Sequence, residues 1–174
     1  WSLDYGNVHF VGLDSNTEAV ILEQKAWLDS DLAQARQNPD IDWIMIQFHH
    51  PAYSNSNHGS TKRVQKHFVP IFEKHKVDLV FAGHDHNYER TVPILEEAEV
   101  DNANGVVYVV AGGFYAPGYS NGESWFTVIS HHGDLGNWVH VKVDGKSVKL
   151  TAWPGEGGPE VAGSTPLDEF TISK

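Results

Sequence analysis

Three short apolar runs, Val8 to Asp14, Trp43 to Phe48 and Val77 to Ala82, alternate with two stretches of helical periodicity. An unbroken apolar run marks a strand covered on both faces, and strands joined through helices pair in parallel. The order β-α-β-α-β therefore leaves few solutions: a sheet with parallel strands and helices packed outside it. The first helix is the better marked. Ser15-Asn16-Thr17 offers N-cap groups and Glu18 lies in the first turn. Ile21, Leu28, Leu32 and Ala35 share one face, and Asn38-Pro39-Asp40 stops the helix near Gln37. Pro51 to Ser60 reads as a polar loop. In the second helical stretch Val64, Phe68 and Ile71 lie on one side, and Pro70 must bend it or begin a new helix.

After residue 100 the helical periodicity disappears. Val106 to Ala111, Trp125 to Ser130, Trp138 to Asp144 and Ser147 to Trp153 read as strands with glycine-containing turns, and Asp144-Gly145-Lys146 is a hairpin signal. The fold class is α/β, with antiparallel strands finishing a mixed sheet in the second half. No repeat, low-complexity stretch or boundary divides the chain, so residues 1–174 are read as a single domain.

Twelve basic against 23 acidic residues leave a formal charge of −11, which argues against a nucleic-acid backbone as the main partner. With no cysteine, disulfides and thiolate metal ligands are excluded. No apolar stretch approaches a membrane-spanning length, so no membrane partner is expected. The first residues lack the pattern of a signal peptide, and any such leader is expected to have been removed or to lie upstream.

The 11 histidines are numerous for this length. His9, His67, His75 and His140 stand singly and read as structural or solvated. The rest cluster. His84 and His86 follow Gly83 at the end of a buried run, where α/β folds place ligands. On an extended backbone they would share one side, roughly 6.6 Å apart, with Asp85 pointing away. Two such imidazoles can share one ion or serve two ions about 3.5–4 Å apart; the competing reading is a polar strand end with solvated rings. His49-His50-Pro51 ends the neighbouring run, and one ligand and one bystander are expected there. His58, on the loop leaving the same edge, can donate to a phosphate oxygen or protonate a leaving group. His131-His132-Gly133-Asp134 reads as an exposed turn between two strands of a hairpin pair. Tyr115, Tyr119, Trp125 and Trp153 offer an aromatic surface for a ligand such as a sugar, against core packing, which is favoured at least for Trp125.

Gly83-His84-Asp85-His86-Asn87-Tyr88-Glu89-Arg90 resembles the last signature of the calcineurin-like metallophosphoesterases, and its Tyr-Glu-Arg ending is most similar to the purple acid phosphatase branch. Phe48-His49-His50-Pro51-Ala52-Tyr53-Ser54 resembles the preceding family motif. Asp4 to Phe10, the helix across Gln24 to Leu32, and Leu167 to Ile172 also fit that branch. The resemblance implies part of a four-layer α/β/β/α sandwich with mixed sheets. It implies hydrolysis of phosphate mono- or diesters at two divalent or mixed-valence ions, of zinc, iron or manganese. His49 and His84 would hold one ion and His86 the other. His58 would be the catalytic-site histidine that faces substrate and contacts phosphate. Gly59 stands where plant members carry a second histidine, which leaves the general acid unassigned.

The family's aspartate-bearing motifs, and the tyrosine ligand of its phosphatase branch, precede the Asp4-Tyr5-Gly6-Asn7 strand, so the chain resembles the carboxyl-terminal portion of a catalytic domain. Two adjacent divalent ions need anionic ligands, and three neutral imidazoles supply none. They can hold one zinc with an open position if the geometry closes. At most one weakly bound ion per isolated chain is expected, with an inactive isolated chain. The missing amino-terminal half, or a self-association partner, would complete it. The alternative is a catalytically incomplete fragment serving as a non-catalytic binding or scaffold module. The resembling branch implies a secreted or periplasmic location.

Overall fold

A computed structural model of the chain describes residues 1–113, 117–133 and 136–174. The first half runs β1 (Ser2–Tyr5), β2 (Val8–Gly12), α1 (Glu18–Gln37), β3 (Trp43–Phe48), α2 (Lys62–His67), α3 (Val69–Lys74), β4 (Leu79–Ala82) and β5 (Tyr88–Thr91). Then follow β6 (Ile94–Leu95), β7 (Ala98–Glu99), β8 (Val107–Ala111), β9 (Thr127–His131), β10 (Asn137–Asp144), β11 (Ser147–Pro154) and β12 (Asp168–Ser173). Seven strands form one sheet in the order β1-β2-β3-β4-β8-β5-β9. Its centre, β2-β3-β4-β8, is parallel, while β1, β5 and β9 pair antiparallel. Strands β10-β11-β12 form a separate antiparallel sheet.

The period of two in β3 explains its unbroken apolar run. Ile44, Ile46 and Phe48 face the helices, where Ile21, Leu28 and Leu32 of α1 and Phe68 and Phe72 of the α2–α3 segment join one core. Trp43 and Met45 face the three-stranded sheet, with Val148, Leu150, Ala152 and Ile172 in a second core. The described residues thus make three layers, helix, mixed sheet and antiparallel sheet, in agreement with the α/β sandwich read from the sequence. Thr17 caps α1 by accepting the Val20 amide at 3.3 Å. Pro70 sits in the first turn of a new helix, α3. Strand β4 begins at Leu79, two residues later than the sequence suggests, and the Asp78 carboxylate just before it accepts from the Ile44 amide at 2.8 Å and from Arg36 at 2.9 Å.

Three expectations change. Tyr88–Thr91 is a buried strand, although no apolar run announces it. Strands β9 and β10 belong to different sheets, so His131-His132-Gly133 lies at a crossing between sheets rather than in a hairpin; Asp134 lies outside the described residues. Trp125 is 52% exposed against Phe126, not packed in the core. Trp153 stacks on Trp138 of the neighbouring strand, while Tyr119 sits among the histidines and Tyr115 lies outside the described residues. The single histidines are structural as read: His9 bonds Asp4 and Asp31, His67 bonds Glu18, and His75 bonds Asp29, while His140 is exposed.

Candidate metal centre

Parallel pairing brings the two strand ends together. Phe48 of β3 lies opposite Ala82 of β4, and the Gly83 amide donates to the His49 carbonyl at 3.1 Å. His49 and His84 therefore leave the sheet side by side. The backbone then turns sharply. His84 has φ +69°, and the Asp85 amide donates back to the Gly83 carbonyl at 2.8 Å. A left-handed residue other than glycine is strained and persists where its surroundings hold it. Here the turn carries the His84 ring onto its neighbours. Its Nδ1 is 3.1 Å from Nε2 of His49, and its ring centroid lies 4.5 Å from His50 and 4.2 Å from His58.

This corrects the extended-backbone reading of residues 84–86. Because β4 ends at Ala82 and His84 is left-handed, the alternation of side chains is broken before His86. The His86 ring lies instead 4.2 Å from Tyr119 in a stack, with Nδ1 3.2 Å from the Pro117 carbonyl. The group whose ligand atoms lie within 4.8 Å of one another is His49, His50 and His84. His50 was legible only as a companion of His49. Its amide donates to Ser15 Oγ at 2.9 Å and its Nδ1 lies 3.0 Å from the same oxygen, so the loop before α1 orients it.

A buried carboxylate supports the rim from below. Asp85, fully buried, accepts from Ser54 Oγ at 2.6 Å and from the His58 amide at 2.9 Å. Glu89, also fully buried, accepts from the Asn55 amide at 3.0 Å and Thr127 Oγ1 at 2.8 Å. Asp85 and Glu89 thus fasten the loop that carries His58. The even positions Tyr88 and Arg90 reach Asp168 of β12.

Burial pushes the His50 imidazole down to about 4, helped by Arg63, His84 and His49. His84 is lowered for the same first reason, then by His58 and His49. Both rings favour the neutral form, which a cation requires. A histidine depressed in the fold contributes stability above its free value of ~6.5, and that contribution is lost as pH falls toward the folded value. The metal-free chain is expected to lose stability from ~6.5 down to about 4, and His50→Gln to flatten part of that slope. Urea titrations across that range check it; identical slopes in the two proteins would count against it.

The donor set fits one divalent ion. The 3.1 Å between His49 Nε2 and His84 Nδ1 is a separation two ligands at ~2.0–2.1 Å from one ion can span. The third nitrogen of the group, up to 4.8 Å away, needs a small inward movement. No carboxylate belongs to this group among the described residues, since Asp85 is spent on Ser54 and His58.

Three histidines gathered at the carboxyl edge of a mixed sheet give this α/β protein a candidate metal centre. Residues 3–88 match the calcineurin-like phosphoesterase family. Tartrate-resistant acid phosphatase type 5 of Sus scrofa is 30% identical over 139 residues, 76% of this chain and 37% of that protein. An uncharacterized protein of Mycobacterium tuberculosis is 32% identical over 108 residues, 52% of this chain and 20% of that protein. In fold, the chain is similar to the purple acid phosphatase of yellow lupin (Lupinus luteus) seeds, with a TM-score of 0.76 and 24% identity over 99% of this chain and 32% of that one. The chain is thus similar to the calcineurin-like phosphoesterases over residues 3–88, and its relatives include purple acid phosphatases. It spans 20% to 37% of the length of the two curated relatives just described.

Proposed function

We propose that this chain supplies the histidine side of a two-metal centre that hydrolyses phosphate mono- or diesters in the whole protein. The observation that carries the reading is the 3.1 Å approach of His49 Nε2 to His84 Nδ1 at the sheet edge. In this reading one ion replaces the proton shared between those two nitrogens. The Nδ1 of His86 is engaged by the Pro117 carbonyl, which leaves its Nε2 for the partner ion. Two divalent ions, when bound, supply a deprotonated water and charge for the phosphoryl group. The protein's own part is to hold His58 on a loop fastened by Asp85, exposed beside His84, where its ring can donate to a phosphate oxygen. The carboxylates that a second ion needs would come from a further stretch of the protein or from a partner. Strand β1 is an edge of its sheet, and Trp1, Leu3 and Tyr5 are 60%, 50% and 78% exposed, an apolar surface such a stretch would cover.

A metal titration with zinc, iron or manganese salts tests this. The chain alone is expected to take up no more than one ion, weakly, and to lose it in His49→Ala and His84→Ala. Two tightly held ions per chain, or unchanged uptake in both variants, would overturn the assignment. The second reading, a non-catalytic binding or scaffold module, is favoured by the donor set without a carboxylate. Turnover of an aryl phosphate by this polypeptide with added metal would eliminate it. The proposal keeps a secreted or periplasmic location; among the described residues no helix is long and apolar enough to cross a membrane.

A further inference from the structure

We infer that Tyr119, together with the Pro117 carbonyl, is the positioning element for His86: it selects the ring's tautomer and fixes its plane. This rests on the reading of His86 as a ligand given above. A carbonyl oxygen only accepts, so the 3.2 Å contact requires the proton of a neutral His86 ring to sit on Nδ1. The lone pair is then on Nε2. A free imidazole side chain prefers the opposite arrangement, so the segment overrides an intrinsic preference. Rotation about the last torsion of a histidine is otherwise broad. Here the Tyr119 ring stacks on His86 at 4.2 Å with an interplanar angle of 16°, which leaves one orientation compatible with the Nδ1 bond.

Segment 117–122 is held in place by further hydrogen bonds to the His86 turn and the His58 loop. The Tyr119 amide donates to the His86 carbonyl at 3.1 Å, and Gly122 donates to the Asn55 carbonyl at 3.2 Å. Ser56 Oγ donates to the Ser120 carbonyl at 3.1 Å, and Ser120 Oγ donates to Asn57 Oδ1 at 2.9 Å. The same tyrosine ring meets His58 edge-on at 5.4 Å. One segment therefore ties the turn that carries His86 to the loop that carries His58. Every contact named uses the ring or the backbone of Tyr119, none its hydroxyl. Ligand histidines are commonly oriented through the nitrogen that does not bind metal, by a carbonyl or carboxylate partner. Here that partner comes from a loop whose sequence carries no histidine motif.

Histidine side-chain ¹⁵N NMR on the metal-free chain, at a pH well above the free-histidine value of ~6.5, reads the tautomer directly. His86 is expected in the Nδ1–H form. Tyr119→Phe is expected to keep it, and Tyr119→Leu to let the Nε2–H form appear. In the whole protein, where the carboxylates of the partner ion are supplied, added zinc is expected to shift the Nε2 resonance of His86. A wild-type ring protonated on Nε2 would overturn the inference without any variant. So would an unchanged tautomer in Tyr119→Leu, or a Phe variant that behaves as the Leu variant does. If the tautomer responds as expected while zinc leaves Nε2 unmoved in the whole protein, the positioning role stands and the ligand role of His86 fails.

Discussion

Replacing Asp168 by alanine is expected to lower the unfolding free energy by about 3–5 kcal/mol, the range for stranding one partner of a buried ion pair. Asp168 accepts from Arg90 Nε at 2.5 Å, from Arg90 Nη2 at 3.1 Å and from the Tyr88 hydroxyl at 2.7 Å. The two charged side chains are only 10% and 9% exposed. Arg90 belongs to β5 of the seven-stranded sheet and Asp168 to β12 of the other, so this pair bridges the layers. Without the carboxylate, the guanidinium retains only the face of Phe170, 4.3 Å away, for its charge. Burial alone would raise the Asp168 carboxyl, but the bonds from Arg90 and Tyr88 outweigh it and hold the group below its usual range. A carboxylate depressed in the fold contributes stability above its unfolded value, and the contribution is lost as pH falls through the folded value. The alanine variant should therefore fall well below wild type at neutral pH and converge on it in acid. Replacing both partners together, Arg90→Met with Asp168→Leu, should recover most of the loss, because well-packed apolar pairs often equal buried ion pairs. Urea melts at neutral and acid pH decide the matter: an alanine variant as stable as wild type at neutral pH would show that the pair contributes nothing.

That ion pair also marks where local sequence ceases to inform. The parallel core was legible because Trp43 to Phe48 must bury both of its faces, and it does so against helices on one side and β11 on the other. Tyr88–Thr91 carries a tyrosine, a glutamate, an arginine and a threonine, and every one is buried. Each is made tolerable by a partner far along the chain: Asp168 for Tyr88 and Arg90, Asn55 and Thr127 for Glu89, and the Tyr108 amide for Thr91. No periodicity within the segment can announce such partners. Strand β12 was visible only as a stretch that fits the resembling family, for the same reason.

At the site the divide is similar. Neighbouring parallel strand ends predict that His49 and His84 meet, and they do. The alternation rule that sent His86 to the same place presumes an extended backbone. It fails because His84 lies at φ +69°, a conformation that no pattern of side chains reports. The rule holds again from Tyr88 onward, where Glu89 fastens the His58 loop while Tyr88 and Arg90 reach the second sheet. A signal for the strained turn does exist, 29 positions from Gly83, in the paired glycines that end β8, Gly112 and Gly113. Two small residues at the carboxyl end of a buried strand indicate that another backbone passes close by.

That close approach singles out Gly112→Ala as the substitution expected to damage the centre most from a residue that touches no ligand. A methyl group on Gly112 would stand 2.2 Å from the Asp85 carbonyl oxygen, 3.0 Å from the Gly83 carbonyl carbon and 3.2 Å from the Asp85 carbonyl carbon. These are backbone atoms, so no rotamer change relieves the clash. Either the end of β8 or the Gly83–Asp85 turn must move, and the turn is the strained partner. Overpacking of this kind costs about 1–3 kcal/mol. Moving the turn also moves His84 relative to His49, and disturbing the support of a metal ligand typically lowers affinity about 10–100-fold. Gly83, the glycine inside the histidine signature, is the contrasting case. A methyl there would meet His49 Nδ1 at 3.8 Å and the Gly112 Cα at 3.9 Å, ordinary contact distances. Gly83→Ala is therefore expected to fold and bind metal nearly as wild type does, while Gly112→Ala loses both stability and metal. Thermal melts and zinc titrations of the two variants side by side test the turn as the origin of the site. If Gly83→Ala proved the more damaging, the glycine of the signature would matter for its own backbone freedom, and the clash at Gly112 would not govern the position of His84.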